Sequence, residues 1–334
     1  MSEGTVSMAR SKPIIEAQDL VKRFGQVEAV RGVSFDVYAG ELFGFLGPNG
    51  AGKTTTINLL TGLAWLNAGS IRIAGIDCTH NPKAAQAMIG VVPDESNLYP
   101  ELTGYENLCF CASLYGLSAR ERQKRARKLL EDFDLTGAGG RKFSTYSKGM
   151  KRKLTIAAGI IHKPSILFLD EPTTGIDVAS ARRIRQLIAR LHREGTTIFL
   201  TTHYIEEAER LCDRIAFIVN GHIVHTDNVT NLIRSVPDTE VIMFSLSGWK
   251  PRLFEKLTNT FPTIMFYMAD DSRIRLESAE HVRIAPVIQI LEECGVEVTD
   301  ARRLQPSLED IFVRITGIEA SSMRKEKEKG GAGR

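Results

Sequence analysis

The 334-residue sequence predicts an α/β protein in which a largely parallel sheet is followed by a smaller α+β domain. Three observations predict this fold class. Apolar, strand-like runs alternate with helical patterns up to about residue 227. A glycine-rich turn follows one of these runs and opens a helix. After about residue 240, a second and shorter series of strand and helix patterns begins, so we expect two domains.

The composition is that of an ordinary globular protein and excludes a largely disordered or fibrous chain. Hydrophobic residues make up 43% and charged residues 25% of the chain, and 43 Lys and Arg against 40 Asp and Glu leave a net charge of +3. So mild a charge does not indicate nucleic acid as a partner. The five cysteines include no Cys-x-x-Cys pair, which argues against a zinc or dithiol site and favours a reducing, intracellular compartment.

No apolar run reaches the roughly 18 residues of a membrane span, and the first residues lack the apolar core of a signal peptide. We therefore expect no direct membrane span.

The strands of the first domain are predicted from two kinds of pattern. Val33, Phe35 and Val37 alternate with polar residues, which indicates a half-buried strand. Residues 42–46 form a continuous apolar run, which is typical of a central strand covered on both faces. Further strands are predicted at 14–21, 71–73, 89–92, 166–169, 196–201, 216–219 and 222–226, and helices at 54–60, 184–191 and 205–212.

Between about residues 95 and 161 the strand patterns disappear and the sequence becomes helical. A cluster of basic residues at 120–128 has two interpretations, a nucleic-acid patch or the solvated face of a helix. The apolar stripe of Ala126, Leu129, Leu130 and Phe133 favours the solvated face.

The second domain, residues 229–318, is expected to be α+β. Its patterns run in the order strand, helix, strand, strand, helix, strand, which is the split-βαβ arrangement of ferredoxin-like domains. A Ser307-to-Asp310 cap predicts one more helix. Residues 1–13 and 319–334 are small, polar or charged, and we expect both segments to be disordered.

The glycine-rich turn predicts a phosphate site. Gly47, Gly52, Lys53 and Thr54 match the pattern Gly-x-x-x-x-Gly-Lys-Thr, and the turn lies between a predicted strand and a predicted helix. The backbone N–H groups and the helix N-terminus attract anions. Lys53 is suited to meet the β- and γ-phosphates, and the Thr54 hydroxyl to ligate Mg²⁺. The residues predicted to line the nucleotide are Gly47, Pro48, Asn49, Gly50, Ala51, Gly52, Lys53, Thr54 and Thr55.

A second half of such a site follows the apolar strand at 166–169. Asp170 at the strand end is placed to hold Mg²⁺, and Glu171 beside it to orient or deprotonate an attacking water.

From about Ile14 to Asp227 the chain resembles the ATP-binding subunit of an ATP-binding cassette (ABC) transporter, of the separately encoded exporter (ABC-2) type. Residues 146–150, Tyr-Ser-Lys-Gly-Met, resemble the family signature, and residues 174–177 resemble its D-loop. His203 resembles the switch histidine, and Phe24 the aromatic residue that stacks on adenine.

The resemblance implies a P-loop NTPase cassette at residues 14–228, with a RecA-like core, an antiparallel β subdomain and a helical subdomain at about 95–161. It implies that ATP and Mg²⁺ bind, that Glu171, His203 and Lys53 are catalytic, and that two cassettes enclose two ATP molecules. Ser147, Gly149 and Asp177 then face the nucleotide of the second cassette, which is another copy or a close relative.

The chain departs from the family pattern at three places. Tyr146, Lys148 and Met150 replace the commonest signature residues, whereas Ser147 and Gly149 are retained. Asp94 stands where the Q-loop usually has Gln; its carboxylate still suits Mg²⁺, but coupling to a membrane partner is put in question. Phe24 replaces a frequent Tyr, and either adenine stacking or a core position is consistent with the sequence.

The resemblance further implies an ATPase that powers export through a separate integral membrane permease subunit, from the inner face of the cell membrane. No nucleic acid is expected. The alternatives are a cassette ATPase acting on ribosomes or nucleic acid, and a regulatory module without turnover. Dimer contact, regulation and a stabilising dock all stay open as roles of the second domain, and the transported substance is not specified by the sequence.

Overall fold

A computed structural model gives the structure of residues 12–234, 240–248, 250, 253–304 and 307–319. Almost all of the two predicted disordered ends, 1–11 and 320–334, lies outside these described residues, and Pro13 already belongs to the first strand. The described residues form two compact units, 12–229 with 315–319, and 230–314. The domain limits given above stay a prediction.

The elements of the first unit alternate between strand and helix over most of its length. Its strands are β1 (Pro13–Phe24), β2 (Val27–Tyr38), β3 (Leu42–Leu46), β4 (Ala68–Ile73), β5 (Ile76–Asp77), β6 (Ile89–Val92), β7 (Ile166–Asp170), β8 (Thr197–Thr202), β9 (Arg214–Val219) and β10 (His222–Asn228). Its helices are α1 (Lys53–Leu60), α2 (Gly104–Leu114), α3 (Ala119–Asp132), α4 (Lys148–Ile160), α5 (Val178–Arg193) and α6 (Ile205–Leu211).

A six-stranded sheet forms the centre of the first unit, with the strand order β10-β9-β3-β8-β7-β6. β3 pairs in parallel with β8 and β9, and β7 pairs in parallel with β6 and β8. β3 and β7 are buried along their whole length, as expected for strands with helices or a second sheet on both faces. The largely parallel α/β sheet predicted from the sequence is confirmed.

A second, antiparallel sheet has the strand order β2-β1-β4-β5. Phe35 of β2 packs on Phe43 and Phe45 of β3 and on Phe199 of β8, with ring centroids 5.6 Å apart in each pair. These rings are fully or almost fully buried, so aromatic packing fixes the antiparallel sheet on the parallel one.

The helical part consists of α2, α3 and α4, which pack on one another. Helix α4 begins at Ser147, whose hydroxyl caps it by accepting a hydrogen bond from the Met150 N–H. The helix then buries Leu154, Ile156 and Ala157. Helix α4 also packs on β6, and its Arg152 donates a hydrogen bond to the Asp170 carbonyl oxygen at the end of β7, so the helix is attached to the central sheet.

The second unit contains one antiparallel sheet of order β12-β13-β11-β14, covered on one face by two helices. Its element order is the split-βαβ order predicted from the sequence. Its strands are β11 (Glu240–Leu246), β12 (Met265–Asp270), β13 (Arg273–Ser278) and β14 (Val298–Leu304). The remaining α-helices among the residues that the structure describes are α7 (Val229–Arg234), α8 (Leu253–Thr260), α9 (Ile284–Glu293) and α10 (Leu308–Thr316).

Among the described residues, no helix combines the length and the apolar character needed to cross a bilayer.

Candidate functional site

The predicted site residues follow the carboxyl ends of four neighbouring strands in the central sheet, β3, β8, β7 and β6. The glycine-rich turn follows β3 and His203 follows β8. Asp170 is the last residue of β7 and Glu171 follows it, and Asp94 follows β6. Parallel strands present their carboxyl ends at the same edge of a sheet, where open α/β folds bind ligands. Segments that are far apart in the sequence therefore meet at one edge.

Two glycines of the turn are required by close backbone contacts. A Cβ on Gly47 would lie 2.1 Å from the Ile218 carbonyl oxygen, so β9 leaves no room for a side chain. Gly52 has a φ of 101°, and a Cβ there would lie 2.4 Å from the Ala29 carbonyl oxygen. The turn is thus held between β2 and β9 and enters α1 at Lys53. Its remaining predicted ligands, Pro48, Asn49, Gly50, Ala51, Thr54 and Thr55, lie in this same segment.

Lys53 places a buried cation at the turn. Its Nζ donates hydrogen bonds to the carbonyl oxygens of Gly47 (2.8 Å) and Pro48 (2.9 Å) and lies 3.2 Å from Glu171 Oε1. The Lys53 side chain is 4% exposed. An ammonium group in so dry a position is stabilised by the opposite charge of the carboxylate.

Glu171 is held in a left-handed backbone conformation with a φ of 44°. Such a conformation costs a non-glycine residue of order 1 kcal/mol and is typical of functional sites. The backbone N–H of Glu171 donates to the Thr201 carbonyl oxygen at 3.0 Å, and the Thr174 hydroxyl donates to Oε2 at 3.0 Å. His203 Nδ1 lies 3.1 Å from the same Oε2, at an angle that makes no hydrogen bond. The carboxylate therefore lies between the predicted lysine and histidine.

Asp170 is 2% exposed and is held by hydroxyl groups. Thr201 Oγ1 donates to Oδ1 at 2.5 Å, and the nearby Thr54 hydroxyl also lowers the pKa of this carboxyl group. Burial raises the pKa of Asp170, the hydroxyl groups lower it, and the negative charges of Glu171 and Asp94 raise it further. Thr54, Asp170 and Asp94, the three residues predicted to bind metal, thus lie near one another.

The signature and D-loop residues form a second cluster. The Ser147 hydroxyl caps α4, and Asp177 caps α5 by accepting a 2.9 Å hydrogen bond from the Ser180 N–H. The start of α5 packs closely on Gly149 of α4. A Cβ on Gly149 would lie 2.5 Å from Ser180 Oγ and 3.9 Å from Asp177 Oδ2. Ser147 and Asp177 are both exposed, so the two caps face solvent.

Phe24 lies at the end of β1 and is 54% exposed, so it is not a core residue. The Lys22 ammonium lies over its ring, 5.0 Å from the centroid. Phe24 pairs with Val27 at the start of β2, the strand whose Ala29 contacts Gly52. An exposed ring close to the phosphate turn is free to stack on a planar group.

Three buried polar residues at this edge were not predicted as site residues. They are Thr201, which bonds Asp170; Glu207 of α6, which accepts a 2.8 Å hydrogen bond from Thr173; and Arg152 of α4. Arg152 offered a detectable signal, because it lies at helical spacing between Gly149 and Ile156 on the buried face of α4. A charged residue on an apolar helix face needs a buried partner.

A comparison with family models matches residues 30–174 to the ABC transporter family. The linearmycin resistance ATP-binding protein of Bacillus subtilis (strain 168) is 36% identical over 308 residues, which cover 91% of this chain and 98% of that protein. A daunorubicin resistance ATP-binding protein of Streptomyces coeruleorubidus is also 36% identical, over 91% of this chain and 95% of that protein. A Nod factor export ATP-binding protein of Rhizobium etli is 34% identical, over 91% of this chain and 94% of that protein.

Solved structures give the same family. The chain is similar to the ATP-binding subunit of an ABC transporter, with a TM-score of 0.60 and 31% identity over 66% of this chain and 92% of that one. It is also similar to a dimeric ATP-binding cassette in a post-hydrolysis state with ADP and Pi bound, with a TM-score of 0.60 and 26% identity over 64% of this chain and 98% of that one. The fold predicted for the cassette is thereby confirmed.

The site suits the binding and hydrolysis of a nucleoside triphosphate. It combines a glycine-rich turn before a helix, a buried lysine that reaches this turn, and a carboxylate between that lysine and a histidine. Relatives that match over nine tenths of the chain are named ATP-binding proteins. The chain belongs to the ABC transporter family, as an ATP-binding and ATP-hydrolysing subunit.

Proposed function

We propose that this chain hydrolyses ATP at the edge formed by β3, β8, β7 and β6, and uses the cycle to power export through a separate membrane protein. The observation that carries the catalytic part is the position of Glu171, buried between Lys53 and His203. Such a carboxylate is suited to accept a proton from a water that attacks the γ-phosphate.

ATP binding is assigned to the turn at residues 47–55. The backbone N–H groups and the start of α1 offer positive partial charge to the phosphates. Lys53 then exchanges its present carbonyl and carboxylate partners for phosphate oxygens. Phe24, exposed beside this turn, is assigned to the adenine ring.

His203 is assigned to the γ-phosphate. The residue is 6% exposed and follows β8 directly, so its ring is fixed at the edge where the phosphate chain ends. Its distance of 3.1 Å from Glu171 allows the two side chains to act on the same water and phosphate. We assign positioning of the γ-phosphate to His203 and proton removal to Glu171.

Mg²⁺ fits the group formed by Thr54, Asp170 and Asp94. Burial and neighbouring negative charge both raise the pKa of Asp170, which is the situation that a divalent cation relieves. Among the described residues, no three His, Cys, Asp or Glu side chains converge as a complete metal cage. This agrees with Mg²⁺, which takes one or two carboxylates together with phosphates and water, and which neutralises phosphate charge when bound.

A second cassette is assigned to the cluster of Ser147, Gly149 and Asp177, in which Ser147 and Asp177 are exposed and Gly149 is buried beneath them. The start of α4 carries unpaired N–H groups and the positive end of a helix dipole, and it faces solvent. One similar structure is a dimeric cassette. We therefore assign these residues to the ATP held by a second copy or a close relative.

Export is inferred from the relatives, which are named for drug resistance and Nod factor export. Their names favour a membrane transport role over the alternative of action on ribosomes or nucleic acid.

A groove of about 470 Å³ between the helical part and the central sheet is the proposed docking site for the membrane protein. Leu114, which is 69% exposed, and Tyr115 line it, together with Pro93 next to Asp94. The Tyr115 ring stacks on His162 with centroids 3.6 Å apart, and His162 Nε2 lies 3.0 Å from the Ile89 carbonyl oxygen of β6. A partner in this groove would contact the strand that leads to the site. We therefore propose that the chain works at the inner face of the membrane.

Replacing Lys53 with Ala is expected to reduce ATP affinity by roughly 100-fold, because charge-assisted hydrogen bonds worth about 1.5–3 kcal/mol each are lost. Fluorescence titration with a labelled ATP analogue measures the change. Lys142→Ala, at an exposed lysine paired with Glu101, is the control and should bind normally. Equal affinity in the two variants would remove Lys53 from the nucleotide site.

The variant Glu171→Gln keeps the shape of the side chain but cannot accept a proton. We expect ATP hydrolysis to fall by about 10²–10⁴-fold while ATP binding persists, so that ATP converts the variant into a stable dimer. Light scattering with and without ATP measures the mass, and the exposed Glu206→Gln on α6 is the matched control. Hydrolysis at the wild-type rate would assign the base to another residue.

A change of Asp94 to Gln replaces a candidate carboxylate ligand with a neutral amide. The Mg²⁺ concentration for half-maximal ATPase activity is expected to rise about tenfold. Asp134→Asn, at an exposed carboxylate, serves as the control. An unaltered Mg²⁺ dependence would exclude Asp94 as a ligand.

The export proposal is tested by isolating the tagged chain from detergent-solubilised membranes. An integral membrane protein should copurify with the wild type, and Leu114→Glu should lose it because a charge enters the apolar groove. Val224→Glu, at an exposed apolar residue of β10 away from the groove, should retain it. Copurification with ribosomes or RNA in place of a membrane protein would support the alternative function.

A further inference from the structure

Arg152 is a buried cation that connects the helical part to both acidic loops of the site. It belongs to α4, is 4% exposed, and has no role in the assignments above. Its Nε donates to the Pro172 carbonyl oxygen at 2.9 Å and its Nη2 to the Asp170 carbonyl oxygen at 2.6 Å. Its Nη1 donates to the carbonyl oxygens of Pro93 and, at 3.0 Å, Asp94.

These four acceptors belong to two loops. Pro93 and Asp94 follow β6, beside the groove proposed for the membrane protein. Asp170 and Pro172 enclose Glu171, the proposed base. A single planar group thus joins the loop that faces the partner to the loop that carries out the chemistry.

The third connection is α4 itself. Ser147 caps this helix five residues before Arg152, which is about 7.5 Å along the helix axis at the usual rise per residue. A helix over this distance is stiff. If the two loops move and the guanidinium moves with them, the helix therefore passes this displacement to Ser147. Ser147 is the residue assigned to the ATP of the second cassette.

The chemistry of arginine suits this junction. The guanidinium has five N–H donors in a fixed plane, whereas lysine has three donors on a flexible stem. Lysine at this position would keep the charge but would leave some of the four carbonyl oxygens without a donor. Arg152→Lys therefore separates the geometry of the fork from its charge.

We infer that Arg152 is a positioning residue that keeps Ser147, the Asp94 loop and Glu171 in one arrangement, so that the ATP-bound pair of cassettes can form and hydrolyse ATP. All four hydrogen bonds of Arg152 go to backbone carbonyl oxygens. The inference rests on the proposed function and specifies a step within it. Loss of the Arg152 guanidinium is therefore predicted to lower kcat and dimer formation while leaving the ATP affinity of the single chain unchanged.

The test compares Arg152→Lys with Arg125→Lys in the full chain. Arg125 is a matched control, because it also lies in the helical part and donates to a backbone carbonyl oxygen, that of Ile161, away from the nucleotide loops. For Arg152→Lys we expect an ATP dissociation constant within about threefold of the wild type and a kcat at least about tenfold lower, which corresponds to the loss of one or two hydrogen bonds. For Arg125→Lys we expect wild-type values of both.

The dimer readout uses the Glu171→Gln background. Glu171→Gln alone should dimerise with ATP, and the double variant with Arg152→Lys should stay monomeric at the same ATP concentration. If Glu171→Gln alone does not dimerise, the proposed function fails. If it dimerises and the double variant does so equally well, the inference about Arg152 is wrong.

The midpoint of thermal unfolding and a second pair of substitutions distinguish a general loss of folding from loss of the positioning role of Arg152. Arg152→Gln retains two N–H donors without the charge, so partial recovery of kcat relative to Arg152→Met would follow from hydrogen bonding to the loops. If kcat in all three variants instead falls in proportion to the thermal midpoint, with ATP affinity falling alongside, Arg152 has only a structural role and the inference is overturned.

Discussion

The dense packing of charge at the carboxyl edge of the central sheet is the constraint on which the rest of the site depends. Lys53, Asp170, Glu171 and His203 are each less than one tenth exposed. Charges so far from water are stable only beside opposite charges or hydrogen-bond donors. Glu171 lies between Lys53 and His203, and Asp170 is held by hydroxyl groups. The buried ammonium and carboxylate groups therefore compensate one another at this edge of the sheet.

The sheet makes this arrangement possible because its neighbouring strands end together. β3, β8, β7 and β6 lie side by side, and each delivers one part of the site. The aromatic cluster around Phe35 fixes the antiparallel sheet on this framework. Contacts of Gly47 and Gly52 with flanking backbone then hold the turn in place. Packing in the core thus sets the position of the groups that we propose to act on phosphate.

The helical part and the nucleotide loops are joined by hydrogen bonds to backbone atoms rather than by packing alone. Arg152 reaches both acidic loops, and the Tyr115–His162 stack links the exposed groove to β6. Backbone strain at Glu171 adds to this, since a φ of 44° persists only where surrounding contacts enforce it. A membrane partner, a second cassette and the reacting phosphate would therefore act on one connected structure.

The sequence by itself determined the features whose signal is local. A strand, a glycine-rich turn and a helix in succession predicted the phosphate turn. The pair Asn220-Gly221, between the strands predicted at 216–219 and 222–226, is typical of a two-residue hairpin, and both residues have positive φ. The alternation of strands and helices predicted the fold class. Such signals can be recognised in the sequence because each arises from residues that lie close together along the chain.

Only the tertiary structure decided which distant residues share the site. Thr201 bonds Asp170 across 31 positions of sequence, and Arg152 reaches Asp94 across 58. The order of the strands in the sheet also came from the structure. Hydrophobic periodicity shows which face of a strand is buried but not which strand lies next to it. The physical reason is that hydrogen bonds between separate segments depend on how those segments pack, and the local pattern of either segment carries no record of its partner.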